Sequence, residues 1–123
     1  MKFMLLIAVD PTDMPQANDD GGYDMSNEYY EFTQRIIASG ELVAGDPLHD
    51  ASTATTVRVR DGVTTLTDGP FAETKEQLGG YYVVDVASLD RALELAAQIP
   101  GAKGAGVEVR PVMEMSGVRD ASS

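Results

Sequence analysis

Between Thr67 and Asp85 the chain changes character three times without a break. An Asp68-Gly69-Pro70 turn gives way to a charged, non-periodic crossover ending near Gln77. A Gly79-Gly80 pair then opens onto Tyr81-Tyr82-Val83-Val84, an almost wholly apolar strand. A strand of that composition needs partners at its edges and cover on its faces. The rest of the chain has to supply them, and this demand constrains the fold more than any other feature.

The N-terminal segment Lys2 to Val9 answers first, as a strand ended by Asp10-Pro11. Period-two alternation sets Lys2, Met4, Leu6 and Ala8 on one face and Phe3, Leu5, Ile7 and Val9 on the other. Asp10 to Asp24 carries two prolines and Gly21-Gly22 without periodicity, the pattern of a mobile loop that either is disordered or serves as a lid. A helix is expected from Ser26 to Ser39, capped by Ser26 or Asp24 and stopped by Gly40. Its buried stripe is Met25, Tyr29, Phe32 and Ile36, widened by Ile37. Leu42 to Gly45 forms a short strand that runs out at Asp46-Pro47. Thr53 to Arg60 and Val63 to Thr67 flank Asp61-Gly62, a strong hairpin signal. Ser88 caps a second helix, Leu89 to Ile99, with Leu89, Ala92, Leu93, Ala96 and Ala97 on one face. The last strand spans Val107 to Met115, and Pro111 places it at an edge or a bulge.

Without the hairpin, the order is β-α-β-β-α-β, an α+β class arrangement of the ferredoxin-like kind: one antiparallel sheet with two helices on one face. The other face carries apolar alternates that nothing in the chain remains to cover. A homodimer closed sheet against sheet, a dimeric α+β barrel, is therefore expected. Residues 1–115 form one domain and residues 116–123 a disordered tail.

Charge and cysteine content limit the function classes. The net charge of −11 repels phosphates and anionic lipid, so neither nucleic acid nor a membrane is an expected partner. With no cysteine there is no thiolate chemistry, disulfide or iron–sulfur cluster, and a cytoplasmic setting is expected. One histidine among scattered carboxylates is a poor basis for a metal site, and no glycine-rich nucleotide loop or nucleophile elbow is present. No metal or cofactor is expected.

Asp68-Gly69-Pro70-Phe71, followed by Ala72-Glu73-Thr74-Lys75-Glu76-Gln77-Leu78-Gly79-Gly80-Tyr81-Tyr82, resembles the hallmark of the YCII-related proteins in their DGPF-domain branch. Met1 to Ile7, Gly45-Asp46-Pro47-Leu48, Thr53 to Arg58 and Val107 to Glu114 extend the likeness over nearly the whole chain. The resemblance implies the dimeric α+β barrel. In the wider superfamily it implies a cleft between sheet and helices where a histidine and an acidic residue are proposed to act. Judged by its distance from Gly40, the helix position of that histidine is Tyr29 here. The branch is commonly described as of unknown function and is often encoded near alternative sigma factors, which implies a sigma-factor-related protein partner.

The candidate acid–base groups are Glu73, Glu76, His49 and Tyr29. Glu73, Lys75 and Glu76 would form a carboxylate–ammonium cluster beside an apolar cleft, or an exposed turn with solvated charges. Asp46, three positions before His49, would complete a dyad. Candidate ligand contacts are Asp46, Asp68, Lys75, Gly79, Gly80, Tyr81 and Arg110. Asp68 reads first as a turn cap, the glycines as sites of close backbone approach or anion-facing amides, and Arg110 as a carboxylate clamp or a partner of Glu108 or Glu73. The expected function is a small dimeric protein that binds a small polar-aromatic or anionic molecule, or an accessory protein. The alternatives are a cofactorless lyase, isomerase or hydrolase and a partner-protein module.

Overall fold

The computed structural model describes residues 1–13, 19, 26–70, 72 and 74–115. Phe71, Glu73, most of the Asp10–Asp24 loop, Met25 and the expected tail from Ser116 to Ser123 lie outside the described residues. The strands are β1 (Lys2–Val9), β2 (Leu42–Pro47), β3 (Thr55–Arg60), β4 (Val63–Asp68), β5 (Gln77–Asp85) and β6 (Val107–Pro111). The helices are α1 (Asn27–Ala38) and α2 (Leu89–Gln98).

Local chemistry accounts for the ends of these elements. The Ser26 hydroxyl accepts the Tyr29 N–H at 3.3 Å, and the Ser88 hydroxyl accepts the Arg91 N–H at 3.2 Å, so each helix starts on a serine cap. Asp61 and Gly62 turn β3 into β4 with φ of 52° and 76°, the paired positive values of a tight hairpin loop.

Four strands pair in the order β2-β5-β1-β6, every neighbour antiparallel. β3 and β4 form a separate two-stranded sheet. Two helices with antiparallel sheets in this order are compatible with a ferredoxin-like α+β fold.

The core lies between the four-stranded sheet and the helices. Phe3, Leu5 and Ile7 of β1 and Tyr82 and Val84 of β5 pack on Phe32 and Ile36 of α1 and on Ala92, Leu95 and Ala96 of α2. The Phe32 and Tyr82 rings meet edge to face, 5.3 Å between centroids, and the Tyr82 and Thr33 hydroxyls bond at 2.8 Å. The inward stripe of α2 is Ala92, Leu95, Ala96 and Ile99, one step around the helix from the face read in the sequence. Leu89, Leu93 and Ala97 are exposed. Ile37 is exposed too, because α1 turns only its Phe32–Ile36 edge inward.

β6 ends at Pro111 rather than at Met115, and it is an outer strand. Pro111 stands opposite Phe3 there, and an edge strand tolerates a residue without an N–H.

Opposite the helices, the sheet presents two cross-strand rows. Arg110, Met4, Val83 and Ala44 form one; Glu108, Leu6, Tyr81 and Asp46 form the other. The middle of this face is apolar and its margins carry charge.

Candidate functional site

β2 runs out at Pro47, and the chain then has to cross from the sheet to the hairpin. Leu48 stays bound to the sheet through its N–H to the Gly79 carbonyl at 2.9 Å. Asp50 next starts a short turn over Ala51–Thr53, its carboxylate accepting the Ser52 N–H at 3.4 Å and the Ser52 hydroxyl at 3.0 Å. The Thr53 hydroxyl donates back to the Asp50 carbonyl at 2.7 Å.

The hairpin root is tied off by two further bonds. The Gly69 N–H donates to the Ala54 carbonyl at 2.7 Å, and the Thr56 hydroxyl donates to the Gly69 carbonyl at 2.8 Å. Gly69 adopts φ of 99°, a conformation that favours glycine.

These ties leave a hollow of about 440 Å³ between the Leu48–Ala51 segment, the hairpin root, Pro70 and the start of β5. Leu48, Pro70 and Leu78 supply apolar wall, and His49, Asp50, Thr53, Thr56 and Gln77 supply polar groups. The hollow is half open to solvent, and its exposed wall is mainly apolar with a few polar groups.

The expected site residues are distributed unevenly around it. His49 is in the wall. Lys75 and Glu76 are exposed and are not among the lining residues; Glu73 lies outside the described residues. The Lys75 ammonium acts on Asp10, whose carboxyl is held below its ordinary range chiefly by bonds from the Thr12 N–H and hydroxyl and, more weakly, by Lys75. Asp68 closes β4 at the edge of the turn.

Gly79 and Gly80 allow close packing. Gly79 is the extra residue where the β1–β5 register slips between Ile7 and Ala8, and a Cβ there would lie 2.5 Å from Val9 Cγ1. A Cβ on Gly80 would come within 3.1 Å of the Asp46 carbonyl oxygen.

Tyr29 and Tyr81 lie on opposite sides of the sheet. Tyr29 packs against the core under the helices, and its hydroxyl accepts the Gly101 N–H at 3.2 Å. Burial is the main cause raising its pKa, with the Gly101 bond opposing it. Tyr81 projects from the other face, where its hydroxyl donates to Asp46 Oδ2 at 3.0 Å. That bond to a carboxylate also raises the Tyr81 pKa, since ionisation would set two anions together.

Arg110 faces the same side as Tyr81 but stands across β1 from it, and its Nε lies 3.4 Å from Glu108. Asp46 and Tyr81 are not among the described residues that line the hollow. The threonines, Gln77 and Leu78 of the wall were not singled out in the sequence. Threonines in a β-rich stretch read as strand formers there, and their convergence depends on the crossover. Among the described residues no group of three or more acidic or histidine side chains is placed to hold a metal ion. No helix among them is long and apolar enough to cross a membrane.

A four-stranded antiparallel sheet under two helices, with an appended hairpin and a hollow at the hairpin root, defines a small α+β protein. The chain belongs to the YCII-related family, whose domain model matches residues 1–116. It is similar to an uncharacterized protein of Rhizobium meliloti (strain 1021), 42% identical over 81 residues. The match covers 64% of this chain and 65% of that relative, just under two thirds of the relative's length.

Proposed function

We propose that the protein binds a small molecule in the hollow at the hairpin root and works as a cytoplasmic homodimer joined through the open face of its four-stranded sheet. The hollow carries the first part of this reading. Its volume of about 440 Å³ and its mixture of Leu48, Pro70 and Leu78 with His49, Asp50 and Gln77 suit a ligand with an apolar body and one hydrogen-bonding end. The dimer is supported by the central apolar pairs Met4–Val83 and Leu6–Tyr81, on a face over which no helix lies among the described residues. The absence of cysteine supports a reducing compartment.

Native purification followed by mass spectrometry of small molecules released on denaturation tests the ligand. A compound should leave the wild-type protein and be missing from Leu78→Trp, which intrudes into the hollow, when both fold equally well. Equal recovery from both, or no ligand with either, defeats the proposal.

A second reading, a module that docks another protein, is favoured by the hairpin. Val57 and Leu66 pair across it with 58% and 69% of their surfaces exposed, an apolar spot away from the four-stranded sheet. Val57→Lys combined with Leu66→Lys would abolish capture of such a partner without disturbing ligand recovery.

A further inference from the structure

We infer that the hollow selects a ligand that donates hydrogen bonds, specifically a small organic ammonium with an apolar body, over a carboxylate or phosphate. This inference rests on the reading of the hollow as a ligand site and names the chemistry of its occupant.

Two of the wall hydroxyls have their protons engaged within the protein. The Thr53 hydroxyl has one proton and gives it to the Asp50 carbonyl. The Thr56 hydroxyl gives its proton to the Gly69 carbonyl. The Gln77 amide nitrogen donates to the Thr74 carbonyl, which leaves the side-chain oxygen and one amide proton. Asp50 is a carboxylate, an acceptor only, and the Ser52 bonds leave it spare lone pairs. Thr53, Thr56 and Asp50 thus offer acceptor capacity, while Thr55, His49 and Gln77 can act in either sense.

Charge points the same way. Among the described residues no lysine or arginine lines the hollow, so an anionic ligand would find no guanidinium or ammonium there to replace its water. The whole chain carries a net charge of −11, which concentrates cations near its surface and disfavours anions. Leu48, Pro70 and Leu78 meanwhile suit a hydrocarbon or aromatic body. An arylalkylamine combines both requirements.

Benzylamine, benzyl alcohol and phenylacetate share a ring and differ in charge and donor capacity. Their binding is compared by calorimetry on the full chain at constant ionic strength. Benzylamine should bind about tenfold tighter than benzyl alcohol, the margin of a charge-assisted hydrogen bond over a neutral one, and phenylacetate weakest. Leu78→Trp should abolish all cavity binding. Asp50→Asn keeps a capping side chain for Ser52 but removes the charge and adds donors, so it should narrow the preference for the amine over the alcohol while leaving Tm near wild type.

Equal or tighter binding of the alcohol or the acid, lost in Leu78→Trp, overturns the donor inference and leaves the hollow standing as a binding site. No Leu78→Trp-sensitive binding of any probe overturns the inference. If the native protein also releases no ligand, the binding reading falls separately.

Discussion

Arg91 grips Glu41 with two parallel bonds, Nε to Oε2 at 2.8 Å and a terminal nitrogen to Oε1 at 2.9 Å, and so locks α2 to the residue just before β2. Ser39 adds a hydroxyl to the same carboxylate at 2.8 Å, and the Glu41 carbonyl accepts the Asp85 N–H at 2.8 Å. One residue thus ties α1, α2, β2 and β5 together. The Glu41 side chain is only 16% exposed, which makes the pair stronger than an ordinary surface ion pair.

The Arg91 and Ser39 bonds hold the Glu41 pKa at about 2, against an ordinary 4.5. A depressed carboxylate stabilises the fold at neutral pH, where the chain has both the charge and its partner. That contribution is complete above the ordinary pKa of 4.5 and is lost as pH falls through about 2. Glu41→Gln should cost about 1 kcal/mol at pH 7, a discounted value because Arg91 remains in part solvated, and should lower Tm by about 4 °C. The difference from wild type should shrink as pH drops from 4.5 toward 2, as followed by thermal denaturation.

Gly79→Ala should destabilise the protein by about 1–3 kcal/mol, the range for overpacking, because the new Cβ would meet Val9 Cγ1 at 2.5 Å. Val9→Ala removes the obstruction. The double variant should recover part of the loss in chemical denaturation, whereas additive losses would show that the bulge tolerates a side chain.

Tyr81 should ionise above the ordinary phenol pKa of 10, since its proton is shared with the Asp46 carboxylate. Asp46→Asn removes the anion and should bring the Tyr81 transition down toward that ordinary value. Ultraviolet difference titration of Tyr81→Phe identifies which step belongs to Tyr81. An unchanged transition in Asp46→Asn would show that the bond does not control it.

Tyr29→Phe should cost about 1 kcal/mol, the worth of its hydrogen bond from the Gly101 N–H, and leave ligand binding in the hollow unchanged. Calorimetry with benzylamine separates the two effects. A loss of binding without a loss of stability would place Tyr29 in the site after all.

Leu6→Glu puts a charge in the middle of the open face, beside Tyr81. The dimer reading expects the variant to be a folded monomer by light scattering while the wild type is a dimer. A wild-type monomer at micromolar concentration would remove the dimer from the proposed function.

Much of the fold is legible because its signals are local. Ser26 and Ser88 cap helices, Asp61-Gly62 makes the hairpin and Gly40 follows α1, each within a few residues of the structure it causes. Strand alternation likewise separated Phe3, Leu5 and Ile7 from Met4 and Leu6. The site was less legible. His49 could be singled out as the lone histidine, but its neighbours in the wall, Thr53, Thr56, Pro70 and Gln77, come from segments joined only when the hairpin folds over the end of β5.

From the sequence alone came the order of strands and helices, their caps and turns, and the need for a covered apolar layer, because each depends on short-range sterics and periodicity. Tertiary structure decided that Tyr29 and Tyr81 point to opposite sides of the sheet, that Gly79 absorbs a slip in register, and that Lys75 and Glu76 remain outside the wall of the hollow at the hairpin root. Those outcomes depend on how strands pair across long sequence separations. A one-residue slip exchanges the faces of every residue beyond it, and no local pattern records where it falls.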